Sequence, residues 1–187
     1  MPVTLPKPGK KTLAAIVGAV TALGLLVSIP KDESGRTVDA AIKPTGEIVV
    51  THKAGDQHLD AYRDIAGIWT ICDGDTANVK PGLRETQAGC QARLERQLIA
   101  HAEPVMACTP RLRERGRDYQ RWAAISLAYN IGTAAYCGST VDRRFDAGDW
   151  RGGCDAFLMW VKASGKIVRG LQLRRQRERE ICLRGLT

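Results

Sequence analysis

Residues 62–76 read YRDIAGIWTICDGDT, and no other stretch constrains the fold as tightly. Ile68-Trp69-Thr70-Ile71 has the β-branched and aromatic content of a strand. Gly67 precedes it, and a Gly-Asp-Thr turn closes the segment. An acidic residue, Asp64, stands six places before a threonine, Thr70. A short β-rich, glycine-punctuated piece of this kind must be built on a larger body, which the rest of the chain has to supply.

That body is helical. From Thr86 onward Cys90, Leu94, Leu98 and His101 recur near helical spacing, and Thr86 suits an N-cap. Pro104 either bends this helix or opens a second one. Residues 121–131 (RWAAISLAYNI) are apolar nearly all round, which predicts a buried central helix ended by Gly132. Ser139 to Asp146, Trp150 to Val161 and Leu171 to Leu183 predict three more helices. Before the hairpin, 31 to about 44 reads as linker, Glu47 to Thr51 as a short strand, and Gly55 to about Arg63 as a short helix. The expected fold is α+β, with a small β lobe, a larger helical lobe and a cleft between them.

At 187 residues the chain suits one globular domain with a tail. Its formal charge of +8 fits nucleic acid, an anionic membrane face or an acidic cell wall. Zinc spacing, a Walker loop and RNA-binding aromatic motifs are all lacking, so neither a metal nor nucleic acid is expected. An aromatic content of 5% also counts against a base-stacking platform. The six cysteines, at 72, 90, 108, 137, 154 and 182, include no C-x-x-C. In an exported domain they predict up to three disulfides, with about 15 connectivities open. Cys90 is the candidate partner of Cys72 by proximity in sequence.

Export is predicted by the start of the chain. Lys7, Lys10 and Lys11 precede nineteen uncharged residues, Thr12 to Pro30. As one helix up to Ile29 this stretch would reach about 27 Å, marginal for a hydrocarbon core of about 30 Å. Gly18, Gly24, Thr21, Ser28 and several alanines weaken it further, and no convincing A-x-A cleavage site follows.

Several of these features together resemble the phage-type lysozymes, glycoside hydrolase family 24, over roughly 54–186. Asp64 and Thr70 match the last two members of that family's Glu-x8-Asp-x5-Thr pattern. Ser126-Leu-Ala-Tyr-Asn-Ile-Gly132 resembles its buried helix, Ser139-Thr140-Val141 with Gly148-Asp149 its next helix and turn, and Gly170-Leu171-x-x-Arg174-Arg175-x-x-Glu178-x-Glu180-x-Cys182 its final helix. The resemblance implies hydrolysis of the β-1,4 bond between N-acetylmuramic acid and N-acetylglucosamine, for host-cell lysis, without metal or organic cofactor. It makes Asp64 the base or electrostatic stabiliser and Thr70 the residue that positions water. Tyr62, Asn130 and Arg174 become candidate substrate-binding residues, and Arg174 or Arg175 the arginine that lies near the family's glutamate. Counted back nine places from Asp64, the glutamate's position falls on Gly55. Asp73 and Asp75, on the turn beside the hairpin, are then the candidates for a relocated acid. The competing expectation is an inactive, membrane-tethered peptidoglycan-binding protein.

The weak apolar helix further resembles the signal-arrest-release segment of certain phage endolysins. It implies tethering in the host inner membrane, then release to the periplasm. The expected organisation is a signal-anchor over 1–30, a linker over 31–53 and a monomeric lysozyme-like domain over 54–187, with peptidoglycan as partner.

Overall fold

A computed structural model describes residues 12–64 and 66–186. Lys7, Lys10 and Lys11 lie outside the described residues. The apolar start forms two helices, α1 (Leu13–Val17) and α2 (Ala19–Ser34), broken at Gly18. Thr12 caps α1 by accepting from the Ala15 amide, and Gly18 takes φ 85°, a backbone only glycine adopts without strain. Among the described residues no helix is long and apolar enough to cross a membrane.

Helix α2 is built into the domain. Leu25, Leu26 and Ile29 are fully buried in one core with Ala124, Ile125 and Leu127 of α4 (Asp118–Ile131). The small and hydroxylated residues of the segment make its specific contacts. Thr21 Oγ1 donates to the Asp118 carbonyl (2.9 Å), and Ser28 Oγ accepts from the Trp122 indole (3.0 Å). The buried Arg121 guanidinium donates to the Val17 carbonyl at 2.6 Å. At Gly24 the helices touch so closely that a Cβ would sit 2.4 Å from the Trp122 ring. An apolar, glycine-bearing sequence suits a membrane and a protein core alike, because both reward buried apolar area.

Residues 31–53, expected as linker, hold the last turn of α2 and a hairpin of β1 (Thr37–Ile42) and β2 (Ile48–Ala54). Val38, Ile48 and Val50 face the core beside Leu13 and Val17. Gln91 of α3 (Gln87–Cys108) ties the hairpin down, donating to the Ile48 carbonyl (2.8 Å) and accepting from the Val50 amide (3.2 Å).

The short helix expected over 55–63 is absent. That backbone is claimed by strand-like pairing instead: the Ala61 amide donates to the Leu83 carbonyl (2.8 Å) and the Glu85 amide to the Leu59 carbonyl (2.8 Å). The chain then enters the antiparallel pair β3 (Tyr62–Arg63) and β4 (Trp69–Thr70).

The helical lobe follows the predicted periodicity. Cys90, Leu94, Leu98 and Ala102 line the buried face of α3, which runs through Pro104 as one helix. After α4 come α5 (Thr133–Tyr136), α6 (Thr140–Asp146) with Ser139 as its cap, and α7 (Trp150–Ala156). The helix expected to reach Val161 stops at Ala156, and β5 (Lys162–Ala163) and β6 (Lys166–Ile167) turn back through Ser164 (φ 48°) and Gly165 (φ 77°). Helix α8 (Arg169–Leu183) closes the fold against α4. Three disulfides, Cys72–Cys90, Cys108–Cys137 and Cys154–Cys182, pair the six cysteines in sequence order. Loops of this size contribute about 2–4 kcal/mol each in an oxidising compartment.

Candidate functional site

The β3–β4 pair presents Asp64 and Thr70 on a tight turn. Tyr62 pairs with Thr70 and Arg63 with Trp69. Asp64 Oδ1 accepts from the Ala66 amide (2.9 Å) and the Ile68 amide (2.8 Å), which fixes the carboxylate on the turn. Its Oδ2 makes no hydrogen bond among the described residues. Thr70 is buried and its hydroxyl donates to the Ile68 carbonyl (3.1 Å), leaving the oxygen lone pairs to accept from water.

The end of α2 carries a carboxylate that the count from Asp64 does not reach. Glu33, in the last turn of α2, is bound by Arg174 Nη1 at 2.7 Å. Arg174 of α8 is buried and also meets Asp32 (3.5 Å) and Glu178 (3.2 Å). Burial pulls its guanidinium down, but Glu33, Glu178 and Asp32 more than offset that, and the net shift is upward. Asp32 is engaged by Arg177 as well. Behind them Glu178 accepts from Ser126 (2.7 Å) and from Arg174 and Arg175, with Arg175 wholly buried. Burial pushes the Glu178 carboxyl up while both arginines oppose it. Glu178→Ala leaves the wholly buried Arg175 without its carboxylate partner, while Arg174 keeps Glu33 and Asp32, so urea unfolding should show a loss of about 3–5 kcal/mol. A loss under about 1 kcal/mol would contradict this account of the cluster.

Thirty residues separate Glu33 from Asp64, and the β1–β2 hairpin is an eighteen-residue excursion within them. The two ends of that excursion meet, because Gly55 abuts Arg36 and Gly35. The signal for Glu33 was therefore local: an acidic pair at the end of an apolar helix, followed by Gly35 in the left-handed conformation (φ 72°) as its C-cap. Gly55 itself has φ 87°, and a Cβ there would lie 3.0 Å from both Arg36 Cα and the Gly35 carbonyl oxygen. Gly55→Glu should thus bring no gain in lytic rate and should destabilise the domain by about 1–3 kcal/mol. A faster enzyme with an unchanged melting temperature would contradict that expectation.

Asp73 and Asp75, expected as candidates for a relocated acid, are buried and fully engaged. Asp73 is gripped by Arg36 through both oxygens, Nε to Oδ1 at 2.9 Å and Nη2 to Oδ2 at 2.5 Å, and Ser34 Oγ lies 2.8 Å from Oδ1. Asp75 accepts from Arg93 (2.8 Å), Gln97 (2.7 Å) and the Ala77 amide (2.9 Å). Neither offers a free oxygen to a leaving group.

Two tyrosines feel the charge of these carboxylates. The Tyr62 hydroxyl is raised by burial, then by the charges of Asp64 and Asp73. Tyr129, at the end of α4, is raised by burial, then by Glu33, Asp73 and Asp75, with Arg174 opposing. Asp73 thus acts on both tyrosines, Asp64 on Tyr62 and Glu33 on Tyr129. Glu33, Asn130 and Arg174 line a cavity of about 410 Å³ with Lys31, Leu171 and Arg177. Asn130 is exposed there; Tyr62 sits instead on the hairpin side, its ring 4.5 Å from that of His58. No group of residues that could hold a metal ion occurs among the described residues.

The family model for phage lysozyme matches residues 53–178. The chain belongs to the phage lysozyme family. The matched span begins beyond Glu33, so the match carries Asp64 and Thr70 but not the α2 carboxylate. This phage lysozyme is 35% identical over 144 residues to a SAR-endolysin of Enterobacteria phage P21, covering 74% of this chain and 86% of that relative. It is 37% identical over 121 residues to a SAR-endolysin of Escherichia phage Mu, covering 64% of this chain and 68% of that one. Among solved structures it superposes on an endolysin from Escherichia coli O157:H7 phage FAHEc1 with a TM-score of 0.64 at 27% identity, covering 86% and 91% of the two chains. A variant of P22 lysozyme superposes with a TM-score of 0.63 at 28% identity, covering 84% and 94%.

Proposed function

We propose that this phage lysozyme is an endolysin that hydrolyses the β-1,4 bond between N-acetylmuramic acid and N-acetylglucosamine in peptidoglycan, with Glu33 as general acid. One observation carries the assignment: Glu33 is the carboxylate bound by Arg174, the arginine of the final helix, and Ser34 beside it is hydrogen-bonded to Asp73 of the turn that follows Thr70. Glycoside hydrolysis needs a proton for the leaving oxygen and a carboxylate or water on the other face of the sugar. Protonated Glu33 supplies the first, and Arg174 then stabilises the carboxylate that remains. Asp64 faces the developing oxocarbenium ion with Oδ2, while Thr70 accepts a hydrogen bond from the attacking water and orients it. Asn130 and Arg174 bind substrate on the helical side and Tyr62 on the hairpin side. The chemistry calls for no cofactor, and the protein acts as a monomer.

The test is digestion of purified peptidoglycan, counting new reducing ends and identifying the terminal sugar by mass spectrometry. Soluble fragments ending in reducing muramic acid support the reading. A protein that binds the sacculus and releases none would be the tethered, inactive wall-binder.

We also infer that residues 1–30 first tether the chain in the host inner membrane, and that its apolar segment then leaves the bilayer and enters the core as α1 and α2. The contacts of Thr21, Gly24 and Ser28 with α4 support this. An uncoupler should move full-length protein to the periplasmic fraction; soluble protein beginning near residue 30 would contradict release.

A further inference from the structure

Asp73 and Arg36 are not part of the reacting pair, yet they form a buried, bidentate ion pair at the junction of the two halves of the site. Taking two charges out of water costs several kcal/mol each, so such a pair is weak evidence for stability. Its location suggests another role. Arg36 lies three residues after Glu33, and Ser34, next to Glu33, is 2.8 Å from the same Asp73 oxygen. Between them Gly35 ends α2, after which the chain departs into the β1–β2 excursion. Arg174 and Arg177 hold Asp32 and Glu33 from α8, and Ser34 and Arg36 fasten the same helix end, with its open carbonyls, to the hairpin side.

The other side of the clamp is rigid. The turn 71–75 is closed by two backbone hydrogen bonds between Ile71 and Asp75, both 2.9 Å. Cys72, at φ 57°, is fastened to α3 by its disulfide with Cys90, and Asp75 is fastened there by Arg93 and Gln97. Thr70 immediately precedes this turn. Asp73 therefore joins a fixed post on the hairpin side to Ser34 and Arg36, one and three residues beyond the acid.

We propose that Arg36 and Asp73 are positioning residues that set the reach of Glu33 toward the Asp64–Thr70 face, and that they balance charge beside the acid. This rests on the assignment of Glu33 above. The charged and titratable groups around Glu33 are Lys31 and Asp32 on its own helix, Arg36 and Asp73 at the clamp, Tyr129 on α4, and Arg174, Arg177 and Glu178 on α8. Within that set Arg36 is neutralised by Asp73 alone.

The experiment compares Asp73→Asn with wild type and with Glu33→Gln, using full-length released protein whose fold and disulfides are verified. A misplacement of about 1 Å costs up to about 100-fold, so kcat should fall by about 10- to 100-fold with little change in KM. Asp73→Asn leaves the Arg36 charge uncompensated three residues beyond the acid, so the alkaline limb of the pH–rate profile should move to lower pH. Asp73→Glu, which keeps the charge, should restore the position of that limb. A merely structural role would lower the folded fraction and leave the limb of the remaining enzyme where it was, and that result overturns the proposal. So does wild-type kcat in Asp73→Asn while Glu33→Gln is inactive. Full activity in Glu33→Gln would instead overturn the acid assignment itself.

Discussion

Gly24→Leu should abolish release-dependent lysis. In the folded domain Gly24 lies against Trp122, where even a Cβ would sit 2.4 Å from the indole ring. The indole is held in turn by its hydrogen bond to Ser28, so it cannot swing aside without breaking a second contact between α2 and α4. A leucine side chain there forces the two helices apart and opens the core around Leu25 and Ile125. Overpacking of this kind costs about 1–3 kcal/mol and more when backbone must move. The same substitution favours the bilayer, because leucine adds buried apolar area and inserts more readily than glycine. Gly24→Ala separates the two effects: it changes membrane affinity little but already meets the ring. Purified Gly24→Ala protein should therefore melt lower than wild type and lyse permeabilised cells more slowly. Val20→Leu is the counterpart, since Val20 is 47% exposed and an added methylene there leaves the docked core alone. An active, stable Gly24→Leu protein would show that the helix does not dock as described.

How far the fold could be read in advance depends on what each residue answers to. Periodicity located α3, because Cys90, Leu94 and Leu98 record in sequence the face they bury, and α4 was legible because it is apolar nearly all round. The hairpin at 62–70 was legible because Asp64 and Thr70 belong to one local unit with a fixed spacing. Three features were not. The segment 57–61 has no helical partner, and its backbone is taken by 83–85, a pairing between distant residues that local propensity cannot register. The docking of the apolar start on α4 was not legible because hydrophobicity does not distinguish lipid from a core, although Gly18, Thr21, Gly24 and Ser28 each mark a contact with α4 or a break in the backbone. Glu33 was not among the candidates because the count back from Asp64 assumes an unbroken chain, and the β1–β2 hairpin interrupts it between Arg36 and Gly55. Asp73 and Asp75 drew attention as two carboxylates on the turn beside the hairpin, and their partners, Arg36 and Arg93, come from either side of them in the chain.

Glu33→Gln tests the central claim most directly. Glutamine keeps the size of the side chain and can still accept a hydrogen bond from Arg174, so the fold should persist, with Arg174 retaining Asp32 and Glu178 as partners. It has no proton to deliver to the leaving oxygen, and general acid catalysis contributes about 100- to 10,000-fold. The measurement is the initial rate of reducing-end formation on purified peptidoglycan, alongside Asp64→Asn and with circular dichroism to verify folding. The account predicts a folded Glu33→Gln protein that still binds the sacculus and hydrolyses it at least about 100-fold more slowly. A folded Glu33→Gln protein that hydrolyses peptidoglycan at the wild-type rate would contradict it.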